Sequence, residues 1–251
     1  MYPLLPWKLL ASVLGLVLAL ALYADDLGRL IGLEVTDRSL VRYLPPALMG
    51  LLAFIFGPTG YYAPWRIAWR LIPKLNGWFP DLNGVWLGTT GSNWPTIKKM
   101  LEAAQAQNAI EQIELHSTAE QRDAMAVQIT ASLFTLKIAA GLSSTDGQSY
   151  SIAAKPRRDQ HSGHLHLSYV YEQTTPDHAI TDEERHMGAA NLVIDPDDLE
   201  TAEGVYWTRR SWKTGLNTAG RLNLRRVSPC KANGKSLRKY AADEKQRLAS
   251  E

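Results

Sequence analysis

Residues Leu165–Tyr171 read LHLSYVY. Leu165, Leu167, Tyr169 and Tyr171 fall on one parity, and His166, Ser168 and Val170 fall on the other. Successive side chains of a strand point to opposite faces, so this is the pattern of a half-buried strand. Its inner face is expected to carry the two leucines and the two tyrosines. His164 and His166 share the outer parity, which makes them solvent-facing rather than a metal pair.

The same period recurs on both sides of this stretch. Upstream, Met125, Val127, Ile129 and Ala131 alternate with polar or small residues, as do Phe134, Leu136, Ile138 and Ala140, and then Tyr150, Ile152 and Ala154. Downstream come Ala190, Leu192 and Ile194, then 204–210 and 220–227. Asn76-Gly77 and Asn83-Gly84 are turn signals ahead of a first strand at Val85–Thr90. About eight short strands joined by turn-rich linkers such as 143–147 predict an all-β antiparallel barrel or sandwich. Closure removes exposed edges, and an eight-stranded barrel holds side chains or one small ligand. Within this pattern, 95–107 reads as a helix preceded by Trp94, and 108–123 is ambiguous between helix and strand.

The N-terminal part has a different character. Tyr43–Trp65 reads YLPPALMGLLAFIFGPTGYYAPW and contains no charge. A helix needs about 20 apolar residues to cross a bilayer, so this run is long enough to span. Leu9–Ala24 is also uncharged. It reads as a retained first helix, although Lys8 and Ala19-Leu20-Ala21 also fit a signal peptide. Two spans, at about 4–24 and 43–65, are therefore expected in a membrane anchor over 1–75. Arg66, Arg70 and Lys74 follow the second run with no acid before Asp81, and the positive-inside rule then keeps the domain at 76–230 cytoplasmic. The tail at 231–251 is basic, lacks an apolar stripe broad enough for a core helix, and is compatible with disorder.

Composition excludes several classes of function. The single cysteine, Cys230, rules out an internal disulfide. A net charge of +2 gives no reason to expect DNA or RNA as a partner. Charge is unevenly spread: Glu172–Glu203 holds ten acidic residues and one arginine, whereas Arg209–Glu251 holds twelve Lys or Arg against three acids. No HExxH, GxSxG, phosphate-binding glycine loop or CxxC occurs, so no enzyme, cofactor or metal is expected, and no catalytic residue is assigned.

The last hairpin carries the most chemistry. Gly204-Val205-Tyr206-Trp207-Thr208-Arg209-Arg210 precedes a loop and then Arg221-Leu222-Asn223-Leu224-Arg225-Arg226. Aromatic rings beside guanidinium groups suit a ligand with flat bases and phosphates. The competing reading is that Trp207 fills the barrel and the arginines are solvated. Strand parity here is open. Either Tyr206, Thr208 and Arg210 point inward, or Val205, Trp207 and Arg209 do.

Taken in order, these parts resemble a known family. Two apolar segments precede Leu82-Asn83-Gly84-Val85-Trp86-Leu87-Gly88, then Leu167-Ser168-Tyr169-Val170-Tyr171, His186-Met187-Gly188-Ala189-Ala190 and the Gly204–Arg210 strand. This arrangement resembles the two-transmembrane, β-strand-rich effectors of bacterial cyclic-oligonucleotide anti-phage signalling (CBASS). The resemblance implies a minimal, lipocalin-like eight-stranded barrel that binds a cyclic dinucleotide made by a partner nucleotidyltransferase. It also implies a homo-oligomer on activation, in contact with the lipid bilayer of the inner membrane, whose disruption kills the infected cell. Tyr169, Tyr171, Tyr206, Thr208, Arg209 and Arg210 are then the expected ligand contacts, with one of the two arginines on phosphate. Asn83-Gly84-Val85-Trp86 is similar to the GxW of lipocalins, where the tryptophan plugs the closed end. By that analogy Trp86 is structural and is covered by Arg225 or Arg226; Arg225 is the one named with it as the plug. The segments 95–123 and 211–219 depart from the compact family pattern.

Two other functions fit the same residues. One is a non-toxic, membrane-tethered binder of a small apolar molecule, and the other is a scaffold that uses its acidic face and basic tail. A cavity with arginine near its mouth distinguishes the nucleotide reading from the apolar one.

Overall fold

The computed structural model describes residue 4, isolated positions between 11 and 23, and residues 38–78, 80–176, 183–229 and 234–250. It divides into two compact units, Met1–Asp81 with Ser132–Thr135, and Leu82–Ala131 with Leu136–Glu251.

In the first unit, helix α1 covers Arg38–Phe56 and helix α2 covers Pro64–Leu71. The single helix expected at 43–65 is therefore corrected. Its apolar run is shared between two helices, and α1 begins at Arg38, taking in Arg42. The physical cause lies at Gly57-Pro58, since proline cannot donate the next helical hydrogen bond. The chain turns there, and Trp65 Nε1 donates to Pro58 O at 2.8 Å, closing the turn. Pro64 then sits in the first turn of α2, where no N–H is needed. Among the described residues no helix is long and apolar enough to cross a membrane. The run at 4–24 falls mostly outside the described residues. Two of the three cations read as topology signals have partners in this unit. Arg66 is buried and its Nε donates to Asp81 Oδ2 at 2.7 Å. Arg70 lies 3.8 Å from the Tyr61 ring centre.

The second unit is a closed eight-stranded barrel whose strands pair in sequence order. They are β1 (Gly84–Ser92), β2 (Gln121–Ala131), β3 (Leu136–Leu142), β4 (Gln148–Arg158), β5 (Leu165–Thr174), β6 (Arg185–Ile194), β7 (Thr201–Arg209) and β8 (Ala219–Ser228). Every neighbouring pair is antiparallel, and β8 returns to β1. The alternation acts as expected on β5, where Leu165, Leu167, Tyr169 and Tyr171 are all buried. Between β1 and β2, helix α3 (Trp94–Ala106) matches the helix expected at 95–107. The ambiguous stretch resolves into a short helix α4 (Gln112–His116) and the beginning of β2.

One end of the barrel is filled. Trp86 is fully buried and its Nε1 donates to Leu82 O at 3.2 Å. The residue over its ring is Arg226, with the guanidinium carbon 6.0 Å from the ring centre. Arg226 Nε and Nη2 both donate to Asn83 O, at 3.1 and 2.6 Å. Register explains why Arg225 does not take this place: Trp86 pairs with Arg226, whereas Leu87 pairs with Arg225 on the outer face. The assignment of Arg225 to the plug is corrected accordingly.

The basic tail is also corrected. Leu237–Ala249 forms helix α5, capped by Ser236, whose side chain accepts from Lys239 N. Leu237, Tyr240 and the fully buried Ala241 pack on Val85, Leu87 and Ala126, on the outer wall of β1 and β2. Gly141 on β3 permits this approach, because a Cβ there would lie 3.1 Å from Arg238 N. Glu244 is buried on α5 and accepts from Arg225 at 3.2 Å and from Arg247 at 2.9 Å. The stripe is legible only once the wall is known, since it consists of one leucine, one tyrosine, one alanine and a paired glutamate.

Candidate ligand-binding site

The end of the barrel away from Trp86 holds a cavity of about 440 Å³, within the usual range for small-molecule sites. Its wall is built in rows by the ladder of β5, β6, β7 and β8. At the floor, Leu167 pairs with Leu192, Leu192 with Gly204, and Gly204 with Leu222. One row up, Tyr169, Ala190, Tyr206 and Gly220 are consecutive cross-strand partners. Tyr171, Gly188 and Thr208 form the next row, and Gln173 pairs with His186 at the rim. Directly opposed residues share a face, so large rings stand beside glycine or alanine and leave space between them.

Gly188 is required by this arrangement. A Cβ at Gly188 would lie 2.4 Å from Tyr171 Cζ. His186 and Gly188 share one face because they are two residues apart. The rings of Tyr169 and Tyr171 have centres 6.0 Å apart with planes inclined at 47°. Burial raises both hydroxyl pKa values well above the ordinary tyrosine range. For Tyr171, the neighbouring tyrosines add to this effect and Arg210 opposes it. Both phenols are therefore neutral near pH 7.

The structure resolves the parity of β7. Tyr206, Thr208 and Arg210 line the cavity, and Arg209 does not. Arg209 lies on the outer face, paired with Met187 and 5.8 Å from the Trp212 ring centre. Thr208 is committed to the barrel itself: its hydroxyl accepts from Thr218 N at 3.0 Å and lies 3.0 Å from Thr218 Oγ1. Arg210 lies 5.6 Å from the Trp94 ring centre, at the start of α3. Among the described lining residues, Arg210 is the one permanently cationic side chain and Asp123 the one carboxylate. Asp123 Oδ1 accepts from Ser143 Oγ at 2.5 Å and from Ala124 N at 2.9 Å, and its Oδ2 accepts from Ser144 N at 3.2 Å. This carboxylate ties the β3–β4 turn to β2.

The lining residues not assigned from the sequence include Trp94, His186 and Gln173. His186 and Gln173 could have been found by parity, from Gly188 and Tyr171. Trp94 could not, because its place depends on where the inserted helix begins. His164 and His166 are away from the cavity, with His166 Nδ1 3.3 Å from Asn191 Nδ2 and His164 Nε2 3.7 Å from Asp195.

Comparison with known proteins points to one family. Residues 111–226 match the family model described as Cap15, cyclic dinucleotide receptor domain. The chain is also 28% identical over 177 residues to CD-NTase-associated protein 15 of Escherichia albertii, covering 69% of this chain and 74% of that protein. The match spans every strand from β2 to β7 and nearly all of β8, including the cavity rows described above. The barrel of this chain is similar to Cap15 cyclic dinucleotide receptor domains, in keeping with the resemblance of its motifs to CBASS effectors.

Proposed function

We propose that the cavity binds a cyclic dinucleotide and that the chain is a membrane effector of CBASS. The observation that carries the first part is Arg210 at the rim above three tyrosines that stand beside glycine and alanine. Rings with space beside them accept a nucleobase face, and a guanidinium presents a planar fork to a phosphate oxygen. A wholly apolar cavity would have favoured a lipocalin-like binder of an apolar molecule, and Arg210 argues against it. Tyr169, Tyr171 and Tyr206 are the proposed base contacts, Arg210 the phosphate contact, and Thr208 a positioning residue.

Calorimetry with a panel of cyclic dinucleotides tests the site. Arg210→Ala is expected to cost about 1.5–3 kcal/mol, roughly tenfold or more in affinity. Arg209→Ala should bind like the parent. Parental affinity in Arg210→Ala would move the site elsewhere.

The membrane part of the reading rests on the two uncharged runs and on α1. Among the described side chains of α1, Met49, Leu51 and Phe54 are large, apolar and exposed. We place the N-terminal unit in the inner membrane and the barrel in the cytoplasm. A reporter fused after Glu251 should be active only in the cytoplasm, and periplasmic activity would reject this topology. One short anchor cannot form a pore, so membrane disruption requires many copies, and nucleotide promotes it by binding the assembled state more tightly. Expression together with a cyclic dinucleotide synthase should stop growth and depolarise the membrane. The same toxicity from a chain lacking 1–75 would sink the mechanism.

A further inference from the structure

The outer wall of β4–β8 carries an unbroken apolar row. Ala153, Val170, Ala189, Trp207 and Ala219 are consecutive cross-strand partners. Trp207 is 52% exposed, and Val205 and Met187 beside it are 47% and 42% exposed. An equivalent apolar strip on β1 and β2 is covered by α5. Among the described residues nothing covers the β4–β8 row. Its inner side is the cavity wall, since Tyr206 and Thr208 flank Trp207 in the chain.

We infer that this row is a self-association surface and that its occupant is the same row of a second copy. This inference rests on the effector reading above and adds the surface through which copies meet. The argument is self-complementarity. A two-fold axis in the interface, parallel to β6, lays β5 of one copy over β7 of the other and leaves each row facing itself. Val170 then meets Trp207 of the second copy, and Ala189 meets Ala189 at the axis. In the neighbouring row, Glu172 on β5 and Arg209 on β7 both flank Met187, so Glu172 faces Arg209 of the second copy, twice. On the far side, His166 and Glu203 both flank Val193 and oppose each other in the same way. Lys155 and Arg221 oppose as like charges at the corners, where twisted sheets diverge. Small residues beside one large ring give each tryptophan a shallow seat in the facing copy. A ligand that stiffens β7 from inside would also fix the ridge outside, which links binding to assembly.

Cysteine crosslinking tests this in the full-length chain. Cys230→Ser with Ala189→Cys is oxidised with copper phenanthroline in opened cells, with and without a panel of cyclic dinucleotides. A disulfide-linked dimer is expected at position 189 and not at Lys137→Cys, on the outer face of β3. Arg209→Glu in the 189 background sets like charges face to face and should lower the dimer yield roughly tenfold. Adding Glu172→Arg should restore it. Trp207→Glu should act like Arg209→Glu, and thermal melting checks that each variant folds. No dimer at 189 under any condition, equal yield at 137, or no restoration by the exchanged pair would overturn the inference. Arg210 faces the other side of the wall, so failure of nucleotide binding in Arg210→Ala is read separately from failure of the crosslink.

Discussion

The two ends of the barrel are built on the same alternation and reach opposite results. At the Trp86 end, Val127, Ile129, Leu192 and Ile194 are large and fully buried. The polar groups there also have partners: Asn83 Nδ2 donates to Ala131 O at 2.9 Å, and Ala131 N donates to Asn83 Oδ1 at 2.8 Å. At the other end, each large ring on the ladder stands beside glycine or alanine, and an open volume remains. The difference is side-chain size across a rung, not strand pattern. Filled rungs stabilise the barrel, whereas empty ones forgo packing and leave room for a ligand.

The largest effect expected from breaking this contrast is at the filled end. Trp86→Ala should cost about 3–5 kcal/mol in chemical denaturation, because the site cannot collapse around so large a void. An unchanged midpoint would mean that the plug contributes no stability. Filling the open end should cost less. Gly188→Val drives a side chain into the Tyr171 ring and should destabilise by about 1–3 kcal/mol, with loss of nucleotide binding.

The wall between the ends should respond to acid. Hydrogen bonds from Arg247, with the charges of Arg225 and Arg247, hold the Glu244 carboxyl below the ordinary value of 4.5. Its folded-state pKa is depressed, so its contribution is present above the ordinary value and is lost as pH falls through the depressed one. Glu244→Gln should cost about 1 kcal/mol at neutral pH. Melting temperatures of parent and variant should converge in acid, and a constant gap would refute the assignment. The smallest effect on stability is expected for Tyr171→Phe, whose hydroxyl makes no hydrogen bond among the described residues. Stability should shift by no more than about 0.5 kcal/mol. Affinity for the nucleotide should fall by about 1 kcal/mol if that hydroxyl meets the ligand.

Much of this was legible in the chain. Strand alternation needs no long-range information, since it follows from period-two placement of apolar residues against a core. It located the strands and set Tyr169 and Tyr171 inward, because Leu165 and Leu167 anchor their face. Parity on β7 was not legible in the same way. Val205 and Trp207 are as apolar as Gly204 and Tyr206, so neither face was marked. On β8 the marker was present: Leu222 and Leu224 share parity with Arg226, which points to Arg226 rather than Arg225 over Trp86. The apolar run at 43–65 predicted one helix where the structure has two, because length and lack of charge set no boundary, whereas Gly57-Pro58 ends a helix.

By itself, then, the amino-acid sequence determined about eight strands of alternating parity with an arginine pair beside aromatics, because these depend on near neighbours. Closure of the barrel decided what depends on distant ones. It brought Tyr171 against Gly188, set Arg210 inward and Arg209 outward, gave the narrow stripe of α5 a wall to cover, and left the Trp207 row uncovered by any described residue. Each of these is fixed by hydrogen-bond register between strands, and register is a property of the paired sheet rather than of any one strand.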